Sequence, residues 1–363
     1  MEIMKNKYLK LGLCGFMIFS FNILKCQDPQ FSQFYNSSIY YNPATSGLTR
    51  DLRFSSTYRD LWSKIPGDLS TYFVSVDYQW SKKNIGIGFL MLSDNEGLNR
   101  IRTKRLELVY SYRVLQDKDK MLQLGMSVFS INMRDFRNSD FIFTDQLDPI
   151  RGVIRQSSFL NDEVEPVIYP DWNAGLVYRQ NLNLYNITPT IGISASHILR
   201  PNISFVNNVF RLPVKYVVNA NLLTKVVFNR GKADRTRIAL LDPGFGYEYQ
   251  KPFQTFTIGS GFDVEPLRFG MYFRNRSLFA DDVYKFNSII IHAGIVMSSS
   301  DNHDLIIDYT YDSTISKLEF ASGGAHEITL TYNISLPERK GAVECYKEWW
   351  REVRGRPITL KRR

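Results

Sequence analysis

A two-residue alternation of apolar and polar side chains recurs along almost the whole chain. In residues 71–80 the apolar positions of one face are Tyr72, Val74, Val76, Tyr78 and Trp80. In residues 327–334 they are Ile328, Leu330, Tyr332 and Ile334. Successive side chains of a strand point to opposite faces, so each segment has one apolar face and one mostly polar face. About fourteen such segments without a membrane-length apolar helix predict an all-β fold, a closed antiparallel transmembrane barrel in a bacterial outer membrane.

The positions of these segments follow from the alternation and from the turn residues between them. We place the strands near 52–60, 70–80, 84–93, 102–114, 120–134, 172–180, 188–197, 213–228, 236–249, 253–263, 266–275, 287–297, 303–311 and 325–335. A twelve-strand barrel is the alternative if two of these segments are not strands.

The connections between the predicted strands alternate in length. Short polar linkers, such as 81–83, 116–120, 229–235 and 298–302, alternate with longer segments, such as 135–171 and 198–212. Outer-membrane barrels have short periplasmic turns and longer outer loops. If both termini are periplasmic, the short turns face the periplasm and the long loops face outward. The Lys251–Pro252 connection is the exception, because it is short where a long loop is due.

A soluble β-sandwich would also show alternation and is the alternative fold. Aromatic residues make up 14 % of the chain. Pairs such as Tyr78 with Trp80 and Tyr309 with Tyr311 lie near predicted strand ends. An amphipathic ring suits the headgroup boundary of a bilayer, so this placement favours the membrane barrel.

The N-terminus has the pattern of an export signal. Lys5, Lys7 and Lys10 precede an apolar run over residues 11–24 that is short for a membrane helix. We expect residues 1–26 to be a signal peptide, with cleavage after Cys26; a lipoprotein at Cys26 is the alternative, disfavoured by Lys25. Cys345 would then be the remaining cysteine, either an inert thiol or a partner in an intermolecular disulfide.

Two segments stand apart from the barrel, which we assign to residues 51–336. Residues 27–50 are an extended lead-in that forms either a plug in the lumen or a periplasmic contact. Residues 337–363 are a basic C-terminal extension with nine Lys or Arg and four Asp or Glu. The spacing of Tyr346, Trp349 and Trp350 predicts a short periplasmic helix that docks on a partner or an acidic lipid surface, or folds back onto the barrel rim. An exported chain with a net charge of +9 is not expected to bind nucleic acid.

No catalytic, cofactor or metal site is evident in the sequence. The four histidines lack metal-ligand spacing, and the chain has no nucleophile elbow or phosphate-binding loop. An enzyme whose site is assembled across strands stays open as an alternative. Charged residues within strands, including Arg59 with Asp60 and Arg105 with Glu107, are expected to face the lumen. They would set pore selectivity, hold a plug, or neutralise one another.

Several stretches, taken together and in order, resemble the PorP/SprF family of type IX secretion and gliding-associated outer-membrane proteins of the Bacteroidota. The stretches are Asp28–Tyr35, Tyr41–Ala44, Tyr58–Trp62, Ile65–Gly67, Leu108–Arg113, Asp171–Gly175, His197–Asn202, Leu212–Tyr216, Asp308–Asp312 and Gly323–Ile328. The resemblance implies a non-enzymatic barrel without cofactors that supports export or surface anchoring of secreted proteins, such as a large adhesin. Its implied partners are outer-membrane lipid, periplasmic ring or motor proteins, and one large secreted adhesin.

The resemblance and the inward charges select residues for partner binding or for structure. These candidates are Arg59, Asp60, Trp62, Asp308, Asp312, His326, Glu327, Trp349 and Trp350. Whether the chain is core machinery or an adhesin companion stays open. A porin-like or hydrophobic-substrate transporter is the alternative function.

Overall fold

The computed structural model describes seventeen stretches of the chain. These are residues 28–33, 38–49, 52–67, 69–80, 83–97, 101–117, 119–136, 144–148, 150–155, 165–182, 187–205, 209–229, 236–264, 266–275, 286–300, 303–315 and 321–335. The predicted signal peptide and the predicted C-terminal extension, with Trp349 and Trp350, lie outside the described residues and stay predictions.

The described residues are mostly β-strand. The strands are β1 Leu52–Leu61, β2 Ser70–Trp80, β3 Ile85–Glu96, β4 Ile101–Gln116, β5 Lys120–Asp135, β6 Leu147–Asp148, β7 Gly152–Val153, β8 Val167–Pro170, β9 Ala174–Gln180, β10 Ile187–Ser196, β11 Lys215–Asn229, β12 Thr236–Gln250, β13 Phe253–Val264, β14 Leu267–Asn275, β15 Phe286–Ser300, β16 His303–Thr314 and β17 Ala325–Ile334. One helical turn, Ser38–Tyr41, and two 3₁₀ turns, Pro43–Thr45 and Thr144–Gln146, complete the elements. No helix in the described parts of the chain has the length and apolar character that a membrane span needs.

The sheet closes on itself. β1 pairs with its sequence neighbour β2 and also with the last strand, β17, in a register that runs from Leu52↔Ile334 to Leu61↔Ala325. With β6, β7 and β8 set aside, fourteen antiparallel strands form the ring. The predicted fourteen-strand barrel is confirmed, and the twelve-strand alternative is wrong. Closure pairs the backbone of every wall strand on both sides, as a bilayer core requires.

The two ends of the barrel differ as the linker lengths predict. One end, the short-turn end, carries the connections from β2 to β3, β4 to β5, β13 to β14 and β15 to β16. The other, the long-loop end, carries the segment from Asp135 to Ala174 and the segment from Ser196 to Lys215. The short turn between Gln250 and Phe253 lies at the long-loop end, so the predicted exception is also present.

The wall has an apolar outside and a polar inside. In β1, Phe54 and Tyr58 face outward, while Ser55, Thr57 and Arg59 face inward and are buried. β2 and β17 repeat this pattern, with Leu330 facing outward and Thr329 facing inward. An outward apolar band is what lipid contact requires, and the polar inward face accounts for a mean hydropathy of only −0.23.

The strand beside β5 in the wall is interrupted, because two separate strands, β8 and β9, pair with β5 in turn. The long-loop half of β5 pairs with β8, and its short-turn half pairs with β9. The predicted strand near 172–180 therefore begins later, at Ala174, because residues 171–173 leave the ladder. Tyr169 of β8 packs with Ile203 and Leu212, which lie in the long segment between β10 and β11. This arrangement directs the buried Asp171 carboxylate into the lumen.

A charge on the outer wall tests the assignment of the lipid face. We expect Leu330→Arg to destabilise the barrel by about 2–4 kcal/mol, because Leu330 lies mid-strand on the outward face. The matched control is Ile150→Arg, since Ile150 is 94 % exposed in the hairpin of β6 and β7 at the long-loop end. Urea unfolding in lipid vesicles measures both. Equal, small effects would contradict the assignment.

Candidate functional site

Residues 28–33 and 38–49, here called the plug, lie inside the ring of strands. The Asn42 side chain donates to the backbone carbonyls of Leu176 in β9 (3.1 Å) and Ile193 in β10 (3.3 Å). On the opposite side of the ring, the Glu327 carboxylate of β17 accepts a hydrogen bond from the Ser32 backbone N–H at 2.6 Å. The plug therefore meets the wall in several directions. The sequence of this segment is compatible with a plug or a periplasmic contact, and these contacts favour the plug.

Two inward-facing glycines let the plug approach the wall closely. A Cβ atom on Gly125 of β5 would collide with the backbone of Pro43 and Ala44. A Cβ atom on Gly175 of β9 would collide with the Asn42 side chain. Any larger residue at either position would push the plug toward the barrel axis, so the wall is shaped to receive it.

Four charged side chains hold one end of the plug, and we call them the Arg59 cluster: Arg59, Arg274, Asp312 and Glu327. Arg59 pairs with Glu327 at 3.1 Å and with Asp312 at 3.3 Å. Arg274 pairs with Asp312 at 2.8 Å. Two guanidinium groups thus face two carboxylates, so the buried charges balance. Balanced, hydrogen-bonded charge is the condition under which such groups tolerate burial.

The Arg59 cluster also binds the plug backbone directly. The Glu327 carboxylate accepts hydrogen bonds from the backbone N–H groups of Ser32 (2.6 Å) and Gln33 (3.0 Å). Arg274 donates to the Phe31 carbonyl at 2.7 Å. Hydrogen bonds with one charged partner are stronger than neutral ones, so this cluster is a firm attachment between plug and wall.

A second group of charged side chains surrounds Asp28, and we call it the Asp28 cluster. Its members are Asp28, Arg105, Asp171, His197 and Lys215. His197 bonds the Asp28 carboxylate through Nε2 at 2.7 Å and the Asp171 carboxylate through Nδ1. Arg105 lies 3.9 Å from Asp28. His197 follows β10 and Asp171 precedes β9, so this cluster is at the long-loop end.

The Asp28 cluster shifts the titration of two of its members. Burial alone would raise the pKa of the Asp28 carboxyl, but the charges of His197, Lys215 and Arg105 hold that pKa well below its usual range. Burial would lower the pKa of His197, yet the carboxylates of Asp28 and Asp171 outweigh burial and raise it. A charged imidazolium between two carboxylates is therefore the state that this geometry favours.

Aromatic rings from the plug and the wall form a pocket around Phe31. The Phe31 ring meets the rings of Tyr40 at 5.2 Å and Tyr41 at 6.4 Å within the plug, and Phe73 of β2 at 5.5 Å. The Lys215 ammonium lies 5.1 Å from the ring centroids of both tyrosines. Phe73 is an apolar residue on the inward face of the wall, and the pocket accounts for it.

The predicted site residues separate into groups. Arg59, Asp312 and Glu327 meet in the Arg59 cluster. Asp308 instead pairs with Arg268 (2.7 Å) and His292 (2.8 Å), nearer the short-turn end of β16.

Three further predicted residues, Asp60, Trp62 and His326, lie on the outer face of the wall or beyond its strands. Asp60 lies on the face opposite to Arg59, beside His326 of β17, because neighbouring side chains alternate. The expectation that Asp60 faces inward with Arg59 is therefore wrong. His326 bonds the Tyr309 hydroxyl at 2.7 Å. Trp62 follows β1, and its backbone N–H donates to the Gly324 carbonyl at 2.7 Å.

Sequence reasoning missed several members of the two clusters as site residues. They are Asp28, Asp171, His197, Lys215 and Arg274. Asp28, Asp171, His197 and Lys215 lie in the stretches that carry the family resemblance, which was the available signal. The alternation around Arg274 also places it opposite the outward Phe273. No spacing in the sequence shows that these distant residues meet.

The arrangement holds a polypeptide segment and shows no grouping for metal chemistry in the described part of the chain. No three His, Cys, Asp or Glu side chains there come together as a metal ion would require. The ionisable side chains of both clusters are engaged with one another and with the plug. What the site does chemically is to bind backbone amides, a carboxylate and an aromatic ring.

A closed antiparallel barrel with a polar lumen and an internal N-terminal segment defines the class as a plugged outer-membrane β-barrel. The chain belongs to the PorP/SprF family of type IX secretion system membrane proteins, whose profile matches residues 23–332. The protein is accordingly located in the outer membrane, as a component of a secretion system. No curated protein matches the chain.

Solved structures of bacterial barrels are similar in fold. The CymD monoaromatic hydrocarbon channel shares 10 % identity with a TM-score of 0.47, over 84 % of this chain and 93 % of that chain. A FadL homologue of Pseudomonas aeruginosa shares 11 % identity with a TM-score of 0.37, over 83 % and 94 %. Omp33 of Acinetobacter baumannii shares 9 % identity with a TM-score of 0.36, over 79 % and 99 %. Likeness at this level says nothing about what this chain binds or transports.

Removing one carboxylate from the Arg59 cluster tests its role. We expect Glu327→Ala to destabilise the folded protein by about 3–5 kcal/mol, because it leaves Arg59 and two plug amides without their buried partner. The control is Glu96→Ala, which breaks the more exposed Arg134–Glu96 pair and should cost about 0–1 kcal/mol. Denaturant unfolding in detergent micelles measures both, and equal costs would contradict the assignment.

The Asp28 cluster predicts a pH dependence of stability. Since folding raises the pKa of His197, its charge stabilises the folded state below the unfolded pKa of about 6.5, and that contribution is lost as pH rises through the folded pKa. Thermal unfolding between pH 6.5 and 9 should show a larger fall in Tm for the wild type than for His197→Gln. Parallel curves for the two proteins would contradict a charged His197.

Proposed function

We propose that this protein serves type IX secretion as a non-catalytic, plugged barrel that binds and anchors other components. The observation that carries the proposal is the plug, which is tied to the wall by the Arg59 cluster and the Asp28 cluster. A lumen occupied in this way suits a binding and anchoring role better than a conduit. The long-loop end is then the outer surface, and the short-turn end faces the periplasm.

The plug spans much of the lumen along the barrel axis. Ser32 and Gln33 contact Glu327, which lies near the long-loop end of β17. Gly47 instead accepts a hydrogen bond from Arg113 and donates one to Asp77, near the short-turn ends of β4 and β2. A porin-like or hydrophobic-substrate transporter needs an open path, and these contacts oppose one along much of the axis.

The long-loop end has an ordered surface, formed by residues that extend β1 and β17, to which an exported partner can bind. Pairing of the first and last strands continues beyond the ring, through Trp62 N–H to the Gly324 carbonyl (2.7 Å) and Lys64 N–H to the Ser322 carbonyl (3.4 Å). The turn that follows carries exposed Pro66 and Gly67. We assign the anchoring of a large exported adhesin to this surface, because backbone pairing holds it in a defined shape.

The periplasmic partner is assigned to the C-terminal extension. Its nine basic and four acidic residues, with Trp349 and Trp350, suit an acidic or aromatic-binding surface of a ring or motor component. This assignment rests on the sequence. It would be abandoned if deletion of residues 341–363 left secretion and co-purification unchanged.

Conductance distinguishes a plugged anchor from a transporter. We expect the purified wild-type protein to show no steady conductance in planar bilayers, because the plug occupies the lumen. Glu327→Ala should show frequent openings, since Ser32 and Gln33 lose their acceptor. Glu96→Ala is the matched control and should stay closed. Steady wild-type conductance would contradict the proposal and favour the transporter.

Affinity purification from native outer membranes identifies the partner. Mass spectrometry should recover one large surface protein if the chain is an adhesin companion, or ring and motor proteins if it is core machinery. Deletion of residues 341–363 should remove the periplasmic components and leave a surface protein in place. Recovery of neither kind of partner would contradict the anchoring role.

A further inference from the structure

The barrel recognises residues 28–33 in the way that a protein recognises a peptide ligand. Several hydrogen bonds from the wall reach the main chain of this segment, which any sequence supplies. Glu327 accepts two consecutive backbone N–H groups, and Arg274 donates to the preceding carbonyl of Phe31. The Gln250 side chain accepts from the backbone N–H of Asp28 at 3.2 Å. A receptor uses such contacts to hold a segment in an extended form.

Two side chains of the segment supply the selectivity. Asp28 enters a cationic pocket formed by His197 and Arg105, with the Nε2 of His197 at 2.7 Å. Phe31 is 1 % exposed in the aromatic pocket formed with Tyr40, Tyr41 and Phe73. Between them, Gln30 donates to the Thr255 hydroxyl at 2.9 Å. The site therefore reads a carboxylate and, three residues later, an aromatic ring.

The N-terminal half of residues 28–33 is more exposed to solvent than the C-terminal half. Asp28, Pro29 and Gln30 are half-buried, whereas Phe31, Ser32 and Gln33 are buried. The half-buried residues lie beside His197, Gln250 and Thr255, all at the long-loop end of their strands or just beyond it. A ligand can accordingly approach from the long-loop end of the lumen.

We propose that the long-loop half of the lumen is a peptide-binding site. Its ligand is an extended segment of about six residues with a carboxylate first and an aromatic ring fourth. Residues 28–33 fill it in cis. A segment of the same chemistry on an exported polypeptide fills it in trans when residues 28–33 are released. The proposal stands whether or not the chain anchors an adhesin, because it concerns only what the lumen binds.

The experiment uses a fluorescent peptide with the sequence of residues 28–33 and fluorescence anisotropy in detergent micelles. Three full-barrel proteins are compared: the wild type, a chain that lacks only residues 28–33, and full-length Phe31→Ala. We expect saturable binding to the deletion and to Phe31→Ala, and none to the wild type, where the site is filled in cis. Heat-dependent mobility on gels reports whether each barrel is folded.

A control peptide with alanine in the place of Phe31 tests selectivity, and we expect it to bind about ten-fold more weakly or worse. If the deletion folds only when the peptide is present, that rescue also supports the site. If the deletion does not fold at all, full-length Phe31→Ala decides. Absence of binding to every folded variant, or equal binding of both peptides, would overturn the proposal.

Discussion

The pairing of Arg59 with Glu327 is the interaction on which the rest of the structure depends. The two residues lie on the first and last strands, so they meet only when the barrel closes. Once closed, they form a buried charge pair whose remaining acceptor capacity is taken by the amides of Ser32 and Gln33. Closure of the wall and seating of the plug are therefore coupled, and each stabilises the other.

This coupling explains how the barrel can have charged side chains in its lumen, be blocked by the plug, and still bind that segment specifically. Charges inside an open pore are solvated by water. Here the charged side chains within each cluster pair with one another and with the plug. The outer surface is left to lipid around the wall and to loops at one end. A protein built in this way is suited to holding partners, and its lumen is suited to holding a peptide.

The strands were predictable and the site was predictable only in part, for a physical reason. Alternation reports which face each residue occupies, so all fourteen strands and the inward direction of Arg59 followed from the sequence. It does not report register between distant strands, so the meeting of Asp28 with His197 and Asp171 was missed. Asp60 was misplaced because it was grouped with its neighbour Arg59, although adjacent side chains face opposite ways. Phe73 breaks the alternation because its pocket is supplied by the plug.

The most direct test of the account asks whether the plug lies in the lumen of the protein in its native membrane. In a Cys345→Ser background, Gln33→Cys is combined either with Thr310→Cys, whose inward hydroxyl bonds Gln33, or with Tyr309→Cys, its outward neighbour. Mass spectrometry of oxidised outer membranes should find a disulfide with position 310 and none with position 309. Equal crosslinking at both positions, or none at 310, would contradict a plugged barrel.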